Sequence, residues 1–168
     1  MILYHGSYKV IDKPDLSFSR LRTDFGRGFY LTPFKEQALL WSKKYIREYD
    51  MAIISCYEFS LETGNKLPTE IKKLEFREYS LDWLNFITAC RLGKSGLEQV
   101  NESDYDLIIG GVANDKVFDT LQLYFDNLIR AEEAIGRLRF EKPNLQYCLK
   151  TQLLIDNFLK FTGSEAVK

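Results

Sequence analysis

Apolar residues recur along this chain at two periods, and the places where the period changes mark its elements. Ile2-Leu3-Tyr4 is a short apolar run that stops at His5-Gly6-Ser7, which predicts a strand over 2–4 entering a turn. Residues 8–24 are mixed, contain Pro14 and read as loop. Phe29-Tyr30-Leu31 fits a short buried strand after two glycines. Thr32-Pro33 then offers an N-cap and a first helical residue. Ala38, Trp41, Tyr45 and Ile46 follow at helical spacing, so the expected helix runs from Pro33 to Tyr49. Ala52 to Leu61 alternates in part and predicts a strand, with a turn at Gly64-Asn65 and a break at Leu67-Pro68.

Residues 69–92 read as helix, most clearly from Leu81 to Arg91, where Trp83, Leu84, Ile87 and Cys90 line one side. A loop is expected over 93–96. Leu107-Ile108-Ile109 predicts a strand that stops at Gly110-Gly111, and Asn114-Asp115 caps a helix over 115–129. A short helix over 131–138, a loop at Lys142-Pro143-Asn144, a strand over Leu145–Leu149 and a helix over Thr151–Phe161 complete the pattern. The tail after Gly163 is expected to fray. Strands and helices alternate without regular βαβ spacing, which predicts an α+β fold in a single domain over 1–168.

Composition narrows the class. The chain has 168 residues, 45% hydrophobic and 28% charged, so a disordered chain is excluded. Lys and Arg number 23 against 24 Asp and Glu, for a net charge of −1, which argues against binding nucleic acid by bulk counterion release. No stretch approaches the roughly 20 apolar residues of a membrane span. The first residues lack the basic and apolar regions of a signal peptide. Cys56, Cys90 and Cys148 form no CxxC and no even set, and are expected as buried small hydrophobes in a cytoplasmic protein. With one histidine and no ligand pair at the right spacing, no metal is expected. Ten Tyr, twelve Phe and two Trp raise the aromatic share to 14%, enough to fill a core and to line a ligand cleft.

Three segments have chemical potential, and each has a plain alternative. His5, followed by Gly6-Ser7, is either a ligand-binding imidazole at a strand end or a half-exposed side chain at a turn. Gly26-Arg27-Gly28-Phe29-Tyr30 is either a stretch where backbone and ring meet a ligand or a bulge with a core tyrosine. It lacks the spacing and the strand-before-helix context of a dinucleotide-binding fingerprint. Gln146, before Tyr147-Cys148, is an amide at a sheet end, for a ligand or for a strand terminus.

Taken together, these segments resemble the NAD-binding core of the ADP-ribosyltransferase superfamily, in its diphtheria-toxin and poly(ADP-ribose) polymerase branch. That branch has His-Gly-Ser at the end of its first core strand, Tyr in a Gly-Lys/Arg-Gly-aromatic-Tyr strand, and an acidic residue opening a late strand. The whole chain is also similar to a small bacterial group of that clan, through Asp104-Tyr105-Asp106-Leu107-Ile108-Ile109-Gly110 and Asn114-Asp115. The resemblance implies a split β-sheet of short strands flanked by helices, with His5, Tyr30 and Gln146 as catalytic residues. It implies that His5 bonds the adenosine-side ribose, Gly6 the nicotinamide amide, and Gln146 the 2′-hydroxyl of the other ribose, while Tyr30 stacks on nicotinamide. Ser7, Gly26, Arg27, Gly28, Gln37 and Trp41 complete the implied NAD-binding set.

Two departures stand out. Gln146 replaces a carboxylate, which lowers the expected rate and favours a single transfer over polymer formation; Glu141 is a second candidate for that carboxylate. Gln37 stands where the branch has a Ser that bonds nicotinamide. Trp41 is either the second ring of a nicotinamide sandwich or a core tryptophan. The resemblance implies a mono-ADP-ribosyltransferase that takes NAD and passes ADP-ribose to a protein or nucleic-acid acceptor. The family's habits add a toxin or effector role with a neutralising protein partner. The alternatives are a non-catalytic NAD- or ADP-ribose-binding module and an NAD glycohydrolase.

Overall fold

The period-two runs become strands because each finds a partner far along the chain. The computed structural model describes residues 1–61, 71–92, 101–113, 115–138 and 144–167. In chain order, the described elements are β1 (Ile2–Ser7), β2 (Phe29–Leu31), α1 (Lys35–Lys43), α2 (Ile46–Tyr49), β3 (Ala52–Phe59), β4 (Lys73–Glu75), α3 (Leu81–Leu92), β5 (Leu107–Gly110), α4 (Asp115–Phe125), α5 (Ala131–Leu138), β6 (Gln146–Leu149), α6 (Gln152–Phe158) and β7 (Leu159–Val167). The fold is α+β. One sheet runs β1-β3-β7 and the other β2-β6-β5-β4. All pairs are antiparallel except β4 with β5. A single bridge links β1 to β2: Tyr4 and Thr32 exchange N–H···O bonds of 2.8 and 2.9 Å.

Register explains the two cores. Tyr30, Cys148 and Ile108 are paired across β2, β6 and β5, so their side chains share one face. Cys148 and Ile108 pack there with Trp83, Leu84 and Ile87 of α3, Val117 and Leu121 of α4, and Leu138 of α5. Phe29, Leu149 and Leu107 form the next paired row and point the other way. They meet Leu3 of β1, Tyr57 and Phe59 of β3, and Leu154, Ile155 and Phe158 of α6. The second core thus joins the two sheets and α6, while the first carries α3, α4 and α5.

Several boundaries differ from the expectations. β1 continues through Ser7, because His5 and Ser7 pair with Ser55 and Ile53; His5 lies inside a strand, not at its end. Thr32 Oγ1 accepts from Phe34 N at 3.1 Å and so shapes a turn, and the helix starts at Lys35. It breaks at Lys44-Tyr45 and ends where Asp50 adopts a left-handed φ of 52°. Within the expected helix over 69–92, Lys73–Glu75 is a strand held parallel to β5, a tertiary pairing that overrides local propensity. α4 stops at Phe125, with Asn127 left-handed just beyond. α6 stops at Phe158, and the tail expected to fray is β7, paired with β3 from Leu159 to Val167. Its mixed composition hides an edge strand whose β3-facing backbone groups are satisfied by the ladder. The expected turn at Gly64-Asn65, the break at Leu67-Pro68, the loop over 93–96, the Asn114 cap, the Lys142-Pro143 loop and Glu141 lie outside the described residues.

Gly6 lets α1 lie directly on β1. A Cβ at this position would sit 2.1 Å from the Ala38 carbonyl oxygen and 2.8 Å from the Ser42 nitrogen, both backbone atoms that cannot swing away. We expect Gly6→Ala to lower the unfolding free energy by about 1–3 kcal/mol, the range for overpacked contacts. A urea titration measures it, and an unchanged midpoint would mean that α1 does not rest on this strand.

Candidate active site

His5 is partly buried, with its ring stacked on Phe29 at a centroid distance of 4.6 Å. Its Nδ1 lies 2.8 Å from the carbonyl oxygen of Tyr30. A carbonyl oxygen only accepts, so Nδ1 carries the hydrogen and Nε2 keeps a lone pair. Burial drives the imidazole pKa down to about 4; the bond to the Tyr30 carbonyl opposes this and the nearby Lys44 ammonium adds to it. At neutral pH His5 is therefore an uncharged ring with its tautomer fixed, able to accept a hydrogen bond at Nε2.

Backbone geometry adds a second feature. Successive residues of an antiparallel strand direct their N–H and C=O groups to opposite edges. Tyr4 bonds Thr32 with both groups, so Gly6, two residues on, aims its own pair toward the same edge. There the sheets part, because the bridge joins Tyr4 and Thr32 alone among the described residues.

Tyr30 is partly buried and leans on the helix-covered core. Its hydroxyl is tied to the segment before it, donating to Gly26 O at 2.6 Å, accepting from Phe25 N at 2.9 Å and lying 2.8 Å from Thr23 Oγ1. Burial raises the phenol well above its ordinary pKa, so the hydroxyl stays protonated. Gln146 opens β6 and is 3% exposed. Its Nε2 donates to Asp24 Oδ2 at 2.8 Å and to Gly111 O at 3.1 Å. Asp24 is 5% exposed and also accepts from Ala113 N at 2.8 Å and from Arg91 Nε at 2.9 Å, with Arg91 Nη2 bonded to the same Oδ1. His5 thus meets Tyr30 through the backbone, and Tyr30 meets Gln146 through the 23–26 segment.

The remaining implied ligand residues divide. Ser7 is buried opposite Ile53. Gly26 has a φ of 70°, and a side chain there would collide with the Glu102 carboxylate; Gly28 crosses over Cys148. Arg27 turns away to the preceding loop, donating to Leu16 O at 3.0 and 3.2 Å and to Ser19 Oγ at 3.0 Å. Gln37 bonds within the chain: Nε2 donates to Leu145 O at 2.9 Å, and Oε1 accepts from Leu145 N at 3.3 Å. Its amide clamps the start of β6. Trp41 of α1 is partly exposed. Cys90 and Cys148 are buried and Cys56 is partly so, all as free thiols. Among the described residues no group of three or more His, Cys, Asp or Glu could hold a metal ion, and no helix is long and apolar enough to cross a membrane.

Asp24 and Arg91 escape sequence reasoning. Asp24 stands in a loop with no motif around it, and Arg91 reads as the last turn of an amphipathic helix. The one available signal is a lone Asp between Thr23 and the glycine pair, which is not distinctive.

A protein-family model described as a protein of unknown function (DUF3990) matches residues 1–161. No curated protein and no solved structure matches the chain.

The depressed His5 pKa has a stability consequence with a definite sign. Between about pH 6.5 and 4 the unfolded chain binds a proton that the folded chain does not, so stability falls as pH drops through that window. Relative to His5→Gln, which removes the titration, the wild-type protein should lose on the order of 2 kcal/mol more on going from neutral to acid, after screening of a partly exposed ring. Denaturant unfolding at both pH values reads the difference; equal losses would place the imidazole in water.

Proposed function

The chain belongs to the DUF3990 family, whose description carries no activity, and we propose, from the site together with the resemblance of its His5, Tyr30 and Gln146 segments to the ADP-ribosyltransferase superfamily, that it is an NAD-dependent mono-ADP-ribosyltransferase. One observation carries the reading: the His5 ring is locked onto the Tyr30 carbonyl at 2.8 Å, beside the line where the two sheets part. A neutral imidazole with Nε2 as acceptor suits a ribose hydroxyl. The backbone N–H and C=O of Gly6 suit a carboxamide, which offers one acceptor and two donors. The Tyr30 ring, held by three contacts at its hydroxyl, is a rigid face for an aromatic leaving group. Gln146 stands at the start of β6 for the second ribose.

The chemistry follows from those contacts. The bond between nicotinamide nitrogen and ribose C1′ breaks, and its electron pair leaves with nicotinamide. The ribose passes through an oxocarbenium-like state that nearby oxygen dipoles stabilise. The acceptor's nucleophile then bonds C1′ and gives up its proton to solvent. With an amide in place of a carboxylate at position 146, little negative charge faces that state, so the rate is low and one unit is transferred. The acceptor is a protein or nucleic acid, and a toxin or effector role with a neutralising partner accords with this reading.

A second reading has one observation behind it. The carboxylate nearest Gln146, Asp24, already accepts from Arg91, Ala113 and Gln146. A site with no available carboxylate among the described residues suits a module that binds NAD or ADP-ribose without turning it over. Nicotinamide release from NAD by the purified protein, with and without bacterial extract, separates the readings. Release should fall at least about tenfold in His5→Ala, the size expected for one lost ligand hydrogen bond. Release in buffer alone would indicate glycohydrolase activity. No release, with NAD raising the melting temperature, would leave the binding module.

A further inference from the structure

Asp24 is a buried carboxylate on a loop, and all its bonds are made within the chain. Oδ1 takes Nε and Nη2 of Arg91, and Oδ2 takes the Ala113 N–H and the Gln146 amide. The second hydrogen of Gln146 Nε2 goes to the Gly111 carbonyl. Both amide hydrogens therefore meet groups that only accept. Flipping the amide would set Oε1 against Asp24 Oδ2 and Gly111 O, leaving two buried acceptors facing a third. The orientation of Gln146 is thus decided by its neighbours, and Oε1 is its one polar atom left for a ligand.

We propose that Asp24 is a positioning residue that holds the Gln146 amide so that Oε1, and never Nε2, meets the ribose hydroxyl. The proposal rests on the transferase reading of the site. A free glutamine can present a donor or an acceptor, whereas this one presents only an acceptor, the hydrogen-bonding role of the carboxylate it replaces. Arg91 neutralises Asp24, so the arrangement supplies orientation rather than net negative charge.

This arrangement makes glutamine and glutamate non-equivalent at position 146. A glutamate there would bring a carboxylate oxygen to the place of Nε2, 2.8 Å from Asp24 Oδ2 and 3.1 Å from the Gly111 carbonyl. Two carboxylates at that distance hold a shared proton to higher pH than either would alone. The titratable and charged groups around them are Arg91 and Cys90 of α3, Tyr30 of β2, Cys148 of β6, and the Lys150–Glu102 pair beyond it. Arg91 already serves Asp24, and Lys150 is bonded to Glu102 and to Phe25 O.

The test is nicotinamide release between about pH 5 and 8, with stability followed in parallel. Gln146→Glu should release nicotinamide at the acid end, where the introduced carboxyl is protonated and imitates the amide, and lose about tenfold of that rate by the alkaline end. The wild-type profile should lack this descending limb. A Gln146→Glu rate that is flat, or that exceeds wild type at neutral pH, would overturn the proposal. Asp24→Asn should lower kcat with little change in KM for NAD, and should have no further effect in a Gln146→Ala background. Effects that multiply would mean that Asp24 does not act through Gln146. Should Asp24→Asn fail to fold, the Gln146→Glu profile still decides. Absence of His5-dependent release in the wild-type protein would refute the transferase reading alone. The contact with Asp24 would then be read from melting: the deficit of Gln146→Glu should grow as pH rises, because the folded variant binds a proton that the unfolded chain releases. A deficit independent of pH would refute the contact.

Discussion

Two backbone hydrogen bonds between Tyr4 and Thr32 set the geometry of this protein's site. They bind the edge of one sheet to the edge of the other at a single point, and beyond that point the strands diverge. An uninterrupted sheet would have paired Gly6 with β2. The divergence instead leaves the buried Gly6 with its donor and acceptor directed to the edge away from β3, next to an imidazole whose tautomer is fixed by the Tyr30 carbonyl. Both features arise from one register, since a shift by one residue would turn His5 to the opposite face.

The segment from Thr23 to Gly26 is the second constraint. Thr23, Phe25 and Gly26 hold the Tyr30 hydroxyl, and Asp24 holds Gln146, Arg91 and the Ala113 N–H. The buried Lys150 ammonium bonds the Phe25 carbonyl and the Glu102 carboxylate, closing the segment from below. A loop has no ladder or helix of its own, so its position depends on side-chain partners from β2, α3 and β6. The same dependence gives it influence: it sets the orientation of two of the three residues on which the functional reading turns. A buried, ion-paired carboxylate is weak evidence of stability, and its role here is better understood as fixing a single arrangement of neighbouring amides.

Most of the element types can be read from the chain, and the errors share a cause. Phe29–Leu31, Ala52–Phe59 and Leu107–Gly110 are apolar enough to declare themselves as strands. Lys73–Glu75 and Leu159–Val167 are not, because each is an edge strand with exposed positions whose strand character comes from the neighbour it pairs with. His5-Gly6-Ser7 reads as a turn because glycine and serine punctuate loops. Here the glycine serves the close approach of α1 instead.

What the amino-acid sequence determined by itself was the α+β class and the order His5, Tyr30, Gln146, because apolar periodicity and local residue patterns are properties of neighbouring positions. Tertiary structure alone decided what those residues do to one another. Whether the His5 ring meets a carbonyl, whether the Gln37 amide is free or clamps Leu145, and which carboxylate stands beside Gln146 all depend on contacts between residues far apart in the chain. Asp24 and Gln146 are separated by 122 positions, and no local pattern encodes a hydrogen bond across that distance.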